Sequence, residues 1–369
     1  MKACAITVAV LSCVILGNGV SAETNNNAPE VSNVTASQRA DGSNVVDIYY
    51  DLQDADGDAC VVFCTISNDG GQTWALVTRH VSGDVGEGVA PGGGKHIVWN
   101  VGTDAPGLTG GNFRARIVAD DRNPMAEMCF VPAGTFSCST WDGVADWMQV
   151  YLSDYWIDKY EVTNEFYCMF LNAGNGDRWR TDMSSEIERE GVPGAYTYHP
   201  VAGYERRPVR WVTWYDAVAL CDWRSDSEGL PAGSYHLPTE AQWEKAAGWT
   251  PGRTSLWTYA IQSDSISCDK VNYNNCKGTT TDVGYYTNSK SYYGCYDMSG
   301  NVWEWCADWY GWYPSSTSDP TGPASGTYRV LRGGLWGSSA TYVEVGYRYY
   351  DTPSYVRYDY GFRCARTLE

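Results

Sequence analysis

Positive charge is scarce in this 369-residue sequence, which has 26 Lys and Arg residues against 44 Asp and Glu residues. The formal net charge of −18 leaves no basic surface for a nucleic acid or an anionic membrane. We therefore expect no nucleic-acid partner, and solubility alone is a sufficient reason for the acidic excess. Phenylalanine is also rare, with 7 Phe beside 17 Trp and 28 Tyr. Because Tyr and Trp carry a polar tip on an apolar ring, this balance favours half-exposed binding surfaces as well as cores.

The apolar run at residues 5–16 is too short to span a bilayer comfortably, so no membrane insertion is predicted. Lys2 precedes this run and a small-residue cleavage site follows at 20–22, which is typical of an export signal. A lipoprotein site at Cys13 is the weaker alternative, because so little apolar sequence precedes it. We expect an exported protein that is extracellular, on the cell surface or periplasmic, where disulfides are permissible. Removing residues 1–22 leaves eleven cysteines, so at least one is free or pairs outside the chain.

The first part of the exported chain reads as a small β domain. Residues 23–30 are polar and Asn-rich, as in a tether, and residues 31–121 contain short apolar runs between Gly- and Asp-rich turns. This pattern predicts an all-β sandwich of the immunoglobulin or fibronectin type. Residues 67–74 match an Asp-box hairpin turn, which we interpret as structural. The acidic loop 54–58 begins like a calcium loop but lacks the distal glutamate, so a solvated turn is favoured.

The chain from residue 125 to 369 contains two well-marked helix starts. Thr213 with Asp216 three residues later predicts a helix through 217–223. Thr239 with Gln242 forms a capping box ahead of a second helix. A third, shorter helix is predicted over 164–172, and most of the remainder is Gly, Tyr, Ser and Trp in short pieces. We therefore expect long loops over a modest sheet.

Seven segments, in order over about 240 residues, resemble the formylglycine-generating (sulfatase-modifying factor) family. They are residues 130–136 (FVPAGTF), 158–164 (DKYEVTN), 208–217 (PVRWVTWYDA), 237–244 (LPTEAQWE), 296–305 (YDMSGNVWEW), 329–334 (RVLRGG) and 361–363 (GFR). The resemblance implies an α+β fold of the C-type-lectin-like kind with much irregular structure. It also implies an enzyme that binds copper through two cysteines and oxidises a substrate cysteine.

The sequence departs from that family where its chemistry resides. The resemblance puts the copper-binding cysteines at positions that hold Ser338 and Val343 here. Neither side chain supplies a thiolate for Cu(I), so no copper is expected. Iron-dependent relatives of the fold use clustered histidines, whereas this domain has only His199 and His236. We therefore predict a domain without catalytic residues. An active sulfatase-modifying oxidoreductase of the same family is the alternative.

The resemblance implies one metal site and one disulfide. Calcium would be bound by the carboxylates of Asp297 and Glu304 and the backbone carbonyls of Gly300 and Val302, a mix of oxygen ligands that suits Ca²⁺. The alternative is that the two carboxylates only bridge local backbone. The family disulfide would join Cys221 and Cys364. Cys268 and Cys276 make a plausible local pair.

Tyrosine is concentrated between the Gly-Gly and GFR motifs. Seven of the 24 residues from 337 to 360 are Tyr, and Ser, Thr, Asp and Gly supply nine more, a composition close to that of antibody binding loops. In the family this stretch lines the active-site groove, so we predict an outward-facing binding region at 335–361. The expected ligand-binding residues are Ser338, Tyr342, Tyr349, Tyr350, Asp351, Tyr355, Tyr358 and Tyr360.

This stretch also resembles the variable proteins of diversity-generating retroelements, which mutate adenines in Asn codons. Tyr, Asp, Ser and Thr are each one adenine change from AAC, and Gly and Ala are two changes away. Five clusters, at 337–339, 341–342, 349–352, 354–355 and 358–360, contain no other residue type. A retroelement-diversified binding surface is the preferred interpretation, and an undiversified binding or scaffold domain is the alternative. The sequence does not distinguish a protein ligand from a glycan or indicate an oligomeric state.

Overall fold

The computed structural model describes residues 29–367 apart from 56, 58, 69–77, 79, 106–112, 121–127, 140–147, 229 and 313–316. The predicted export signal and most of the tether and of the Asp-box turn lie outside the described residues. The chain forms two compact units. One comprises residues 1–124 with 132–134, and the other 125–131 with 135–369. None of the helices within the described residues is long and apolar enough to cross a membrane.

The first unit is built of antiparallel strands, as predicted. They are β1 (Glu30–Gln38), β2 (Val45–Gln53), β3 (Cys60–Ser67), β4 (Val81–Gly83), β5 (Gly86–Val89), β6 (Gly92–Asn100) and β7 (Arg114–Asp120), with one helical turn, α1 (Val101–Asp104). They form two sheets, β1-β2-β6-β4 and β5-β3-β7. Alternate residues of β2 are buried, including Ile48, Tyr50 and Leu52. At the acidic loop, Asp54 accepts a hydrogen bond from the Gly57 backbone N–H, as in a local turn.

Within its described residues, the second unit has short strands and three α-helices. The strands are β8 (Met128–Val131), β9 (Gly134–Cys138), β10 (Met148–Leu152), β11 (Tyr155–Asp158), β12 (Ile187–Val192), β13 (Ala195–Pro200), β14 (Tyr235–His236), β15 (Trp303–Trp309), β16 (Arg329–Arg332), β17 (Tyr349–Asp351), β18 (Tyr360–Gly361) and β19 (Ala365–Thr367). The helices are α2 (Asn164–Phe170), α3 (Trp214–Ser227) and α4 (Glu240–Gly248). Two four-stranded sheets organise the unit, ordered β14-β19-β11-β8 and β17-β16-β15-β18. The fold is the predicted α+β, C-type-lectin-like class.

Both marked helix starts are confirmed. Thr213 accepts a hydrogen bond from the Asp216 N–H while the Asp216 carboxylate accepts from the Thr213 N–H, which is a complete capping box for α3. Thr239 and Gln242 do the same for α4. Every residue of α4 is buried, because this helix lies inside the unit rather than on its surface. Glu240 and Glu244 on this helix therefore need charged partners, and these partners belong to the candidate site.

Candidate functional site

The predicted binding region contributes strands to both edges of one sheet. Residues 349–351 form β17, which pairs with β16 in the register Val330↔Tyr350. The chain then crosses to the other edge, where Tyr360 and Gly361 form β18 and pair in parallel with β15. Gly361 has no room for a side chain, since a Cβ atom there would lie 2.8 Å from the Val209 carbonyl oxygen. The region thus contributes strands at 349–351 and 360–361, with loops before and between them.

A buried arginine holds the backbone of this region in place. Arg332 is completely buried, and its Nη1 donates to the carbonyl oxygens of Val345 at 2.6 Å and Tyr347 at 3.1 Å. The same guanidinium forms an ion pair with Glu240 at 2.9 Å and another with Glu244. Both carboxylates come from α4. The helix therefore fixes the arginine, and the arginine fixes the segment.

A second arginine extends the network into the region itself. Arg348 donates to both carboxylate oxygens of Glu240, at 2.6 and 2.5 Å, and to the Gly311 carbonyl at 3.1 Å. Burial alone would raise the pKa of Glu240, but the charges of Arg348 and Arg332 hold that pKa below its ordinary value. Glu240 is therefore an ionised carboxylate between two guanidinium groups, the arrangement that buried charges require.

Four of the predicted tyrosines are exposed on this anchored backbone. The exposed fractions are 45% for Tyr342, 41% for Tyr350, 50% for Tyr355 and 40% for Tyr358. Tyr349 is half-buried and stacks on Trp303 with the ring centroids 5.0 Å apart. We call these five tyrosines the display face. Their exposure supports a surface role, and their contact with a ligand stays a prediction.

Aromatic residues outside the predicted region pack against the display face. Tyr350 lies 4.1 Å from the ring of Tyr310 and 5.0 Å from that of Tyr328, and Tyr358 lies 6.0 Å from that of Trp211. Sequence reasoning missed these neighbours. Tyr328 precedes β16, which pairs with β17, and Tyr310 follows β15, which pairs with β16, so a correct strand order would have identified both.

Two predicted ligand-binding residues are buried, and for them the prediction of an accessible surface was wrong. Tyr360 is fully buried, because β18 turns its ring onto Trp305 and its hydroxyl donates to Asp351 at 2.8 Å. Ser338 is only 7% exposed, and its hydroxyl accepts from the Leu335 N–H at 3.2 Å. Asp351 is half-buried and engaged by Tyr360. Ser338, Asp351 and Tyr360 therefore make contacts inside the region rather than on its surface.

The predicted calcium ligands lie on one tight turn. Asp297 and Gly300 both have positive φ, +60° and +89°, and Val302 begins the approach to β15. Glu304 is fully buried and accepts from Arg363 on both oxygens, at 2.6 and 2.7 Å, and from the Trp243 indole at 2.8 Å. A carboxylate offers about four acceptor positions, so few remain for a cation.

The set therefore fits calcium only in part. Burial raises the pKa of Asp297 to about 6, so its ionised form at neutral pH costs folding free energy that a cation would offset. Glu304, in contrast, is already neutralised by Arg363. No group of three or more His, Cys, Asp or Glu side chains within the described ranges is arranged for a metal ion. Calcium stays a prediction.

The predicted cysteine pairs both lie close together. Cys268 and Cys276 form a disulfide. The sulfur atoms of Cys221, on α3, and Cys364 are 3.5 Å apart, in contact but not bonded. Both of these thiols are buried, so the implied disulfide between them stays a prediction with favourable geometry.

The family model described as the Sulfatase-modifying factor enzyme 1-like domain matches residues 114–368. The chain belongs to this family. The serine/threonine-protein kinase pkn1 of Chlamydia pneumoniae is 34% identical over 258 residues, which are 66% of this chain and 38% of that protein. The chain thus spans less than half the length of that relative.

Two further similarities fall within the same part of the chain. The formylglycine-generating enzyme of Thermomonospora curvata is 30% identical over 299 residues, covering 64% of this chain and 92% of that protein. The solved structure of Treponema denticola variable protein 1 is 26% identical, covers 65% of this chain and 94% of that one, and superposes with a TM-score of 0.49.

In this sulfatase-modifying factor domain, the positions that the resemblance assigns to copper-binding cysteines are structural. Val343 is fully buried, and its carbonyl accepts from the Ser299 hydroxyl at 2.8 Å. A Cβ atom on Gly334 would lie 2.7 Å from Val343 Cγ1, so the valine packs tightly against the Gly-Gly turn. The two histidines belong to different sheets. His199 is exposed on β13, and His236 on β14 donates from Nδ1 to the Leu237 carbonyl at 2.8 Å.

Chelation tests the calcium prediction. If Asp297, Gly300, Val302 and Glu304 bind Ca²⁺, EGTA should lower the melting temperature, because the ionised Asp297 loses its counter-charge. Asp297→Asn keeps an oxygen for the Gly284 N–H but removes the charge, so this variant should lose most of the EGTA sensitivity. Asp308→Asn, a buried aspartate elsewhere, is the matched control and should keep it. A wild-type melting temperature that does not respond to EGTA would contradict the calcium prediction. Glu304 would then serve only as the ion-pair partner of Arg363.

Proposed function

We propose that the sulfatase-modifying factor domain of this protein is a non-catalytic binding module of an exported protein, and that its ligand contacts the display face. The observation that carries the proposal is the separation between display and anchor. Tyr342, Tyr350, Tyr355 and Tyr358 are exposed, while the backbone between Tyr342 and Tyr350 is held by the buried Arg332 and by Arg348, which is paired with Glu240. Large rings on a fixed backbone lose little conformational entropy when a partner binds.

Loss of the family chemistry supports the same proposal. Copper chemistry in this family needs two thiolates, and Ser338 and Val343 stand in their places. Val343 is packed in the interior, so a ligand has no access to its side chain. The resemblance implies that formylglycine-generating enzymes use two copper-binding cysteines, which this chain lacks.

The pattern of burial also bears on diversification. The clusters of one-adenine residues include the exposed Tyr342, Tyr350, Tyr355 and Tyr358, where a change meets mostly solvent. They also include Ser338, Asp359 and Tyr360, which are 7%, 1% and 0% exposed. We propose that diversification, if the gene undergoes it, alters ligand choice through the exposed positions. Changes at the buried positions would mainly alter stability.

The ligand class follows in part from charge. With a net charge of −18 and a Tyr-rich contact surface, the expected ligand is a protein or a glycan rather than a nucleic acid. Tyrosine rings suit both, because each ring has an apolar face for packing and a hydroxyl for hydrogen bonding. Calcium, where present, would stabilise the turn at 297–304 rather than contact the ligand.

The alternative activity has a direct assay. Purified protein loaded with copper should not convert the cysteine of a sulfatase-type peptide to formylglycine, because the two thiolates are absent. An active formylglycine-generating enzyme assayed in parallel provides the positive control, and mass spectrometry of the peptide detects the product. Conversion well above a no-protein reaction would contradict the non-catalytic assignment.

The display face has its own test. Tyr342, Tyr350, Tyr355 and Tyr358 are changed together to Ser and compared with a control set, Tyr215→Ser and Tyr285→Ser, which removes tyrosines that are 49% and 53% exposed elsewhere. Probes are a glycan array and peptides selected from a phage-displayed library on the wild-type protein. The display variant should lose at least ~30-fold in affinity, since anchoring residues are each worth about 2 kcal/mol or more. The control should bind normally.

Stability distinguishes a surface from a core. Both tyrosine sets should lower the free energy of unfolding only slightly, since exposed substitutions usually change it by about ±0.5 kcal/mol each. Unfolding of the display variant alone, or undiminished binding by it, would contradict the proposal.

A further inference from the structure

Two buried thiols meet beside the first strand of the sulfatase-modifying factor domain. Cys129 lies on β8, the edge strand of its sheet, and is 7% exposed, while Cys295 is fully buried. The two thiols lie close enough for each to shift the pKa of the other, that of Cys129 upward and that of Cys295 downward. They are 166 residues apart in the sequence, and the sequence pattern contains nothing that pairs them.

The backbone on both sides fixes this meeting. Cys129 pairs with Ile157 in the ladder between β8 and β11. Two residues beyond Ile157, the Lys159 carbonyl accepts from the Tyr296 N–H at 2.8 Å. Cys295 is thereby placed next to the sheet at the level of Cys129.

The turn that presents Cys295 is closed on itself. The Ser291 N–H donates to the Cys295 carbonyl at 2.8 Å, and the Cys295 N–H donates to the Ser291 hydroxyl at 3.2 Å. Gly294 has a φ of +99°, and a Cβ atom built there would lie 3.4 Å from the Cys129 sulfur. The Cys129 sulfur therefore lies within van der Waals range of the turn at Gly294. The contact between the sulfurs is therefore set by hydrogen bonds on one side and by a strand ladder on the other.

We propose that Cys129 and Cys295 form a long-range disulfide of this domain. In the reaction the thiolate of one cysteine attacks a small-molecule disulfide such as oxidised glutathione, and one thiol of that oxidant leaves. The second cysteine then attacks the mixed disulfide, so one S–S bond forms in the protein. Two protein thiols lose two electrons and two protons, and the oxidant becomes two thiols. Both sulfurs are buried in the folded domain, so the bond forms during folding.

The disulfide would secure the sheet at its edge strand β8, which pairs with β11. The predicted Cys221–Cys364 bond would join α3 to the residue that precedes β19. With both bonds, two strands of the sheet β14-β19-β11-β8 would be cross-linked. Closing a loop of this length restricts the unfolded chain strongly. The pairs 129–295, 221–364 and 268–276 leave five buried cysteines as thiols, which are Cys60, Cys64, Cys138, Cys168 and Cys306.

Peptide mapping tests the proposal on the full chain without its export signal, refolded with oxidised and reduced glutathione. Free thiols are alkylated under denaturing conditions without reduction, and the digest is analysed by mass spectrometry. We expect a cross-linked peptide pair containing Cys129 and Cys295, which disappears after reduction. The Cys268–Cys276 disulfide is the internal control, since its formation shows that the conditions were oxidising. Alkylated Cys129 and Cys295 in protein with an intact 268–276 bond would overturn the proposal.

Variants add a stability readout. Cys129→Ser with Cys295→Ser should lower the melting temperature by at least ~5 °C relative to wild type in oxidising buffer, because the long loop is no longer closed. That difference should largely vanish when both proteins are reduced. Cys168→Ser is the matched control, a buried cysteine outside the three pairs, and it should leave the 129–295 cross-link intact. A melting-temperature difference that persists unchanged after reduction would show that the two cysteines act only by packing.

Discussion

The ion pairs around Arg332 are the interaction on which the architecture of the candidate site depends. Arg332 is completely buried together with its partner Glu244, and Glu240 joins Arg332 to Arg348. Breaking such a pair by removing one partner is expensive, at about 3 to 5 kcal/mol, because an unpaired charge stays buried. The arrangement is therefore costly to disrupt. It also gives the loops of residues 335–361 a fixed attachment, although they contain few regular elements.

This arrangement assigns the holding of the backbone and the presentation of side chains to different residues. The backbone of the region is held through its carbonyl groups at Val345 and Tyr347, so the anchor does not depend on which side chains the loop carries. The exposed rings of Tyr342, Tyr350 and Tyr355 make no contribution to the ion pairs. A domain of this design tolerates substitutions on its surface while the path of its loops stays the same. Such tolerance is what a binding surface with changeable specificity requires.

Much of the fold was predictable from local sequence, because caps and strand patterns depend on neighbouring residues. Thr213 with Asp216 and Thr239 with Gln242 marked two helices correctly, and the seven family segments identified the fold class. The exposure of individual tyrosines was harder. Tyr360 shares its composition with its exposed neighbours, but its parallel pairing beside β15 turns it inward.

Non-local contacts were the part that the sequence did not disclose. The packing of Tyr310 against Tyr350 depends on the register between β16 and β17. The contact between Cys129 and Cys295 depends on the hydrogen bond from the Tyr296 N–H to the Lys159 carbonyl. The same limit applies to Glu304. A resemblance placed it among calcium ligands, whereas its contacts with Arg363 and Trp243 appear only in the folded chain.

The central claim, that the arginine network holds the display face, is tested most directly by hydrogen exchange on an Arg348→Met variant. This change leaves Glu240 paired with Arg332 and removes the contacts of Arg348 with Glu240 and with the Gly311 carbonyl. Amides of residues 345–352 should exchange about 10- to 100-fold faster than in wild type, matching the loss of roughly 1 to 3 kcal/mol of local stability. Amides of α3 should be unaffected, and Arg357→Met, which removes a pair with Asp359 alone, should leave residues 345–352 protected. Unchanged protection of residues 345–352 in Arg348→Met would contradict the account.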